Sequence, residues 1–140
     1  MLAQNPSILI TDDDRAFRET VRGVLEPRGF RTLAASDGEE ALKIVSSQPI
    51  HLLLVDMHMP RLTGIDTLQR IRQLNSRLPC VLLSAALDEL IVRQAQLAEV
   101  FAVLAKPVSR NDIMATVDQA FRVIYDWPQQ SGPSRTAKAG

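Results

Sequence analysis

A chain of 140 residues, 46% hydrophobic and 23% charged, has the make-up of one ordinary globular domain that buries roughly two-thirds of its unfolded surface. Its sixteen basic and sixteen acidic residues cancel, which excludes a global field directed at nucleic acid or an anionic membrane. One cysteine excludes an intramolecular disulfide, no apolar run approaches the roughly 18 residues of a membrane span, and the opening Met1-Leu2-Ala3-Gln4-Asn5-Pro6 lacks the regions of a secretory signal, so a cytoplasmic protein is the default.

The first apolar run, Ser7 to Thr11, reads as a buried strand that ends in three acids, Asp12-Asp13-Asp14. A helix follows from about Asp14 to Glu26, where Pro27 and Gly29 stop it; Phe17, Val21, Val24 and Leu25 form its core face. Asp14 reads as a cap or first-turn acid, not a ligand. A second strand spans Arg31 to Ala35, and Asp37-Gly38-Glu39-Glu40 opens a second helix through Ala41, Leu42, Ile44 and Val45.

The third strand, His51 to Asp56, carries four apolar residues in a row, closed by an acid and, four residues later, Pro60. Ile65, Leu68, Ile71, Arg72 and Leu74 mark a third helix after Thr63-Gly64. Cys80 to Ser84 is the fourth strand, in which Cys80 reads as a buried, inert thiol. Leu87, Leu90, Ile91 and Leu97 mark a fourth helix, and Val100 to Leu104 a fifth strand. The fifth helix runs from about Ser109 to Asp126 with Ile113, Val117, Ala120, Phe121 and Ile124 inward. On it, Met114, Phe121, Tyr125 and Trp127 read first as core packing, while an exposed Tyr125–Trp127 end would suit a partner surface. Residues 1–127 are thus one folded domain, and 128–140 lack apolar periodicity and read as a flexible tail or linker.

Strict strand–helix alternation predicts an α/β fold, a doubly wound five-stranded parallel sheet covered on both faces. In the strand order 2-1-3-4-5, the carboxyl ends bring Asp12, Asp13, Asp56, Ser84 and Lys106 to one crevice at the topological switch point. Three close carboxylates repel one another unless a cation compensates, and Mg²⁺ suits carboxylate and phosphate oxygens. Lys106 supplies a point charge for a phosphate oxygen and Ser84 one hydrogen bond. Such a set is fit to make an acyl phosphate on a carboxylate. Singly, each member has a blander explanation: acids begin helices, serines end strands, lysines are solvated. His51 and His58 lie at opposite ends of one strand and form no metal pair; His51 reads as a strand-entry residue, Met57 and Met59 as loop packing.

Four segments, in order and spacing, resemble the receiver domain of two-component response regulators: Ile8-Leu9-Ile10-Thr11-Asp12-Asp13-Asp14, Leu54-Val55-Asp56-Met57-His58-Met59-Pro60 with Gly64, Leu83-Ser84-Ala85, and Ala105-Lys106-Pro107. The resemblance covers residues from about 6 to 126 and implies the flavodoxin-like (βα)5 fold. It further implies Asp56 as phosphoacceptor, with Mg²⁺ held by Asp12, Asp13, Asp56 and the backbone carbonyl of His58. Ser84 and Lys106 would hold the phosphoryl group, and the Lys106–Pro107 peptide is a candidate for the cis form. The implied donor is a histidine kinase or histidine phosphotransfer protein, acting on a domain that is no enzyme beyond self-phosphorylation and autodephosphorylation. The implied output is a shift of the face made by helix four, strand five and helix five, towards an output domain or partner the sequence does not name. Neither nucleic acid nor membrane contact by this domain is implied. The side chain of His58, two after the acceptor, falls where phosphoryl lifetime is tuned.

Two departures stand out. Val103 occupies the position three before the lysine where the family carries Tyr or Phe, so the usual aromatic rotamer switch cannot operate; Phe101 is the substitute if the strand extends that far. Phe101 and Ala102 also replace the acids that many DNA-binding members carry there, which argues against their salt-bridged dimer while leaving a homodimer of another kind open. Val103 motivates the main rival, a phosphorylation-independent interaction module on the same fold, against which the intact acidic set counts. A phosphatase or flavin carrier is disfavoured, because no glycine-rich phosphate loop follows the first strand.

Overall fold

The computed structural model describes residues 5–128. The tail or linker expected over 128–140 lies, apart from Pro128, outside the described residues. Strands β1 (Ser7–Thr11), β2 (Arg31–Ala35), β3 (Leu52–Asp56), β4 (Cys80–Ser84) and β5 (Ala102–Ala105) alternate with helices α1 (Arg15–Leu25), α2 (Gly38–Ser47), α3 (Gly64–Leu74), α4 (Glu89–Leu97) and α5 (Arg110–Tyr125). All strand pairs are parallel, in the order β2-β1-β3-β4-β5. This is the doubly wound sheet expected from the alternation.

The pleat sorts the apolar residues to two faces. Leu9, Leu53, Val55 and Leu82 meet Ala41 of α2, Ile65, Leu68 and Ile71 of α3 and Ile91 and Ala95 of α4. Ile8, Ile10, Leu52, Leu54, Val81 and Leu83 meet Val21, Val24 and Leu25 of α1 and Ile113, Val117, Ala120 and Phe121 of α5. The three central strands are buried at every residue, whereas the edge strands β2 and β5 are not. Burial on both faces is why the central strands read as continuous apolar runs. Cys80 lies wholly inside, and burial pushes its thiol up to about 12.

Each helix begins on a side-chain cap that accepts from first-turn amides: Asp14 for α1, Asp37 for α2, Asp88 for α4 and Ser109 for α5. Thr63 and Asp66 form a reciprocal capping box on α3. After α1 the chain takes a 3₁₀ turn, Glu26–Arg28, and leaves it through Gly29 at φ +99°, a left-handed backbone that glycine accepts without strain. Gly38 permits close approach of α2 to α3, since a Cβ there would stand 2.2 Å from Thr67 Oγ1.

Three expectations need correction. The fifth strand starts at Ala102, two residues later than expected, and runs on to Ala105. Phe101 therefore lies before the strand, at the end of β5 away from Lys106, and packs with the α1/α5 cluster; it cannot stand in for an aromatic at Val103. Of the apolar positions expected on helix four only Ile91 is buried; Leu87 precedes the helix, and Leu90 and Leu97 are 64% and 79% exposed. Ile124, expected inward, is 42% exposed and lines an open crevice with Phe101, because β5 is the sheet's edge and no strand lies beyond it to cover the helix. Tyr125 takes the inward place instead, donating its hydroxyl to the His51 carbonyl at 2.7 Å. Trp127 packs on Phe30 and Phe121, so the aromatic end of α5 is core packing.

Candidate functional site

The sheet register levels the carboxyl ends of the strands. Thr11 pairs with Val55, Asp56 with Leu83, and Ser84 with Ala105. Backbone bonds continue the ladder just past the ends: Asp12 N–H donates to Ala35 O at 3.1 Å, Met57 N–H to Leu83 O at 2.7 Å, and Lys106 N–H to Ser84 O at 2.8 Å. The residues following two central strands, β1 and β3, and the edge strand β5 are thereby held level with Ser84 at the end of β4.

Asp12 and Asp56 are buried there and Asp13 is exposed, and carboxylate oxygens from all three lie within 4.8 Å of one another. Lys106 reaches over them from β5. Its Nζ donates to Asp12 Oδ2 at 2.6 Å and stands 3.6 Å from Asp56 Oδ2. The same ammonium lies over the Phe17 ring, 4.4 Å from its centroid. Burial opposes the charge on Lys106, but the hydrogen bond and charge of Asp12, with the charge of Asp56, outweigh it and hold its pKa above the ordinary lysine value. Burial, and then the neighbouring Asp12 charge, push the Asp56 carboxyl above the usual carboxylate range; Lys106 and the His58 backbone only partly offset them.

Asp12 is fixed on every side: its Oδ1 accepts from Asp14 N–H at 2.9 Å, and its carbonyl accepts from Arg18 Nη1 at 2.7 Å. Asp14 is spent as the cap of α1, accepting from Ala16 and Phe17 amides. The loop after Asp56 is tied twice. Gly64 N–H donates to Met57 O at 3.0 Å, and Arg61, with a left-handed φ of +69°, pairs with Asp37 at 2.9 Å. Gly64 is obligatory for close approach, since a Cβ on it would stand 2.6 Å from the Asp56 carbonyl oxygen. Met57 and Met59 are buried in the α2/α3/α4 cluster, so they are indeed loop packing.

Ser84 closes the far side. Its Oγ lies 3.0 Å from His58 Nε2, donates to Ala86 O at 2.9 Å and accepts from Ala86 N–H at 3.1 Å. The Lys106–Pro107 peptide is cis. His51 lies at the other end of β3, where its Nδ1 accepts from Ser7 N–H at 2.9 Å, a tie between β1 and β3 rather than a site role. Burial lowers the pKa of His51.

Of the residues expected from the sequence, the structure brings Asp12, Asp13, Asp56 and Lys106 together, with Ser84 at the end of the strand beside Asp56 and its hydroxyl on His58 and Ala86. The sequence did not reveal Phe17 beneath the lysine, Arg18 on the Asp12 carbonyl, or the His58 ring on Ser84. Phe17 carried only a core-face signal, and no spacing rule marks the other two contacts.

The donor set is one of hard oxygens, and three carboxylates set against one lysine leave negative charge that fits a small divalent cation such as Mg²⁺. Among the described residues no helix is long and apolar enough to cross a membrane.

Comparison with known proteins agrees with this architecture. Residues 8–118 match the family described as the response regulator receiver domain. The chain is 32% identical over 123 residues to a probable chemotaxis protein CheY of Rhizobium etli, covering 86% of this chain and 95% of that protein. It is 35% identical over 121 residues to the response regulator RR06 of Streptococcus pneumoniae, covering 85% of this chain and 54% of that protein. The chain thus spans about half the length of some relatives and nearly all of another. The solved structure of a response regulator receiver protein from Pseudomonas putida superposes with a TM-score of 0.79 at 27% identity, covering 84% of this chain and 99% of that one. A five-stranded sheet wound in this order, a triad of acids at its carboxyl end and the match over most of the chain lead to one assignment: the chain belongs to the receiver domains of two-component response regulators.

Proposed function

We propose that this domain is a phosphorylation-controlled switch in which Asp56 accepts a phosphoryl group. The observation that carries this reading is the position of the Asp56 carboxylate: buried, within 4.8 Å of two further acids, and 3.6 Å from the Lys106 ammonium. A carboxylate oxygen of Asp56 attacks phosphorus in line; the P–N bond to a donor histidine, or the P–O bond of acetyl phosphate, breaks and its electron pair leaves with the imidazole or acetate.

Asp12, Asp13, Asp56 and the carbonyl of His58 are the protein groups that would hold Mg²⁺, which when bound supplies positive charge to the phosphoryl oxygens. Lys106 is drawn from Asp12 towards the new phosphoryl oxygens, a shift of an ammonium already near both carboxylates. Ser84 supplies a hydroxyl donor from the end of β4. The domain turns over no substrate beyond its own phosphorylation and dephosphorylation.

The partners we propose are a histidine kinase or histidine phosphotransfer protein as donor, in the cytoplasm, and an output domain or protein that reads the α4-β5-α5 face. Helix α4 carries the exposed Leu90 and Leu97. The phosphoryl group acts by biasing an equilibrium between two settings of this face.

Intact mass after brief incubation with acetyl phosphate and Mg²⁺ tests the acceptor. One phosphoryl group on the wild type and none on Asp56→Asn is the expected result. Addition to both would relocate the acceptor. No uptake from acetyl phosphate or from a purified kinase, with partner affinity unchanged by fluoroberyllate, would favour the phosphorylation-independent module that Val103 suggests.

A further inference from the structure

The hydroxyl of Ser84 is fully engaged. A serine hydroxyl has one proton to give and two lone pairs to receive. Here the proton goes to the Ala86 carbonyl at 2.9 Å, one lone pair takes the Ala86 amide at 3.1 Å, and the other faces His58 Nε2 at 3.0 Å. If the proton were instead turned to His58, it would still be committed. In neither arrangement is it free for an oxygen on Asp56.

His58 is the member of this ring that comes from elsewhere. Ser84 and Ala86 are two residues apart, but the imidazole crosses from the loop after β3 to the loop after β4. It is an exposed residue, so nothing in the core demands that its ring point at a buried serine. Beyond Ser84, residues 85–90 are exposed throughout, and the next side-chain tie is Asp88 capping α4 through Ile91 N–H at 2.9 Å. The Ser84 ring is therefore the anchor that sets how the chain enters α4. Val103, opposite Leu82, is apolar and β-branched, with a stiff χ1 and no group to follow a moving serine.

We propose that the His58 side chain is a positioning residue, a latch that holds Ser84 and the 85–88 loop in the unphosphorylated setting. This rests on the reading of Asp56 as acceptor. Phosphoryl uptake requires the Ser84 hydroxyl to move off Ala86 towards the new oxygens, and leaving His58 Nε2 is a further cost met at that moment. His58 thus couples the loop that carries the acceptor to the start of α4 without an aromatic switch on β5.

The test is fluoroberyllate binding with Mg²⁺ to the full chain, for wild type, His58→Ala, Ser84→Ala, the double variant and His58→Gln. Amide hydrogen exchange of residues 85–88 is followed in each unliganded protein. Removal of one such hydrogen bond is expected to tighten fluoroberyllate binding about fivefold in His58→Ala. It should have no effect in the Ser84→Ala background, where the latch has nothing to hold. His58→Gln, whose amide nitrogen stands near the place of Nε2, should retain the wild-type affinity. Exchange at 85–88 should quicken in His58→Ala alone among these two histidine variants. The same gain with or without Ser84, no gain at all, or unchanged exchange would overturn the latch while leaving the acceptor intact. Absence of fluoroberyllate binding to the wild type would instead remove the acceptor reading, and the latch with it.

Discussion

Lys106 spans 94 residues of sequence to place its Nζ 2.6 Å from Oδ2 of Asp12, a full ångström closer than its 3.6 Å approach to Asp56. The ammonium is thus parked on a carboxylate expected to bind metal rather than on the proposed acceptor. Its side chain is 20% exposed, and that of Asp12 is wholly buried. A bound cation would therefore compete with the lysine for the same negative charge.

Lys106→Met should expose that competition. Without the ammonium, two buried carboxylates lose their compensating charge, and the metal-free protein is expected to lose about 2 kcal/mol of stability. Mg²⁺ should bind about tenfold more tightly than to the wild type, since one charge less opposes it. Thermal melts with and without Mg²⁺, beside calorimetric titration, read both effects; a weaker Mg²⁺ affinity in the variant would contradict the competition.

Asp56→Asn should stabilise the fold at neutral pH. Burial and the Asp12 charge raise the folded-state pKa of Asp56 above its ordinary 3.8, so its ionisation costs more in the folded than in the unfolded chain. The stability tied to the neutral carboxyl is complete below 3.8 and is lost as pH rises through the folded value. The variant, neutral throughout, escapes that loss. It is expected to melt above the wild type at pH 7, by a margin that vanishes in acid. Melting curves of both proteins across the acid range check the sign.

Gly64→Ala should disturb the proposed acceptor through its backbone. The added methyl meets the Asp56 carbonyl oxygen at 2.6 Å and Leu82 Cδ1 at 3.0 Å, and backbone cannot give way cheaply. A loss of about 2 kcal/mol is expected, with slower phosphoryl uptake as the end of β3 shifts. Chemical denaturation and the mass assay together decide it; wild-type behaviour in both would show that the loop has slack the geometry denies.

Trp127→Ala should cost about 2 kcal/mol, read by chemical denaturation, although the residue lies beyond α5. Its ring stands 5.0 Å from that of Phe30 and 5.8 Å from that of Phe121. A neutral result would make it a surface residue and move the domain's physical boundary back to Tyr125.

The strands were legible in the sequence where both faces are covered. Ile8-Leu9-Ile10 and Leu52 to Val55 are apolar at every position because the sheet buries every position, and their closing acids stand out against that background. Legibility failed at the edge. Val100 and Phe101 look like strand residues, but β5 has a neighbour on one side only and pairing begins at Ala102. Leu90 and Leu97 follow helical spacing, yet spacing cannot say which side of α4 the fold covers.

The site was legible to the degree that strand ends fix it. Asp12, Asp56, Ser84 and Lys106 follow from where four strands stop. The ring of His58 on Ser84 depends instead on how two loops fold towards one another, and the Phe17 ring under Lys106 on the rotation of α1; neither leaves a periodic trace. Glycines show a different limit: Gly64 belongs to a motif, whereas Gly38 is a first-turn residue whose need appears only when Thr67 is seen against it.

Three consecutive acids at the start of the chain divide three jobs with no residue to spare. Asp13 faces solvent at the acidic triad, Asp12 holds Lys106 while accepting the Asp14 amide, and Asp14 caps α1. Each job is defined by its offset from the last residue of β1, so the junction behaves like a key cut to a fixed length. Substitutions there remove one job at a time, whereas inserting or deleting a single residue between Thr11 and Arg15 misassigns all three together.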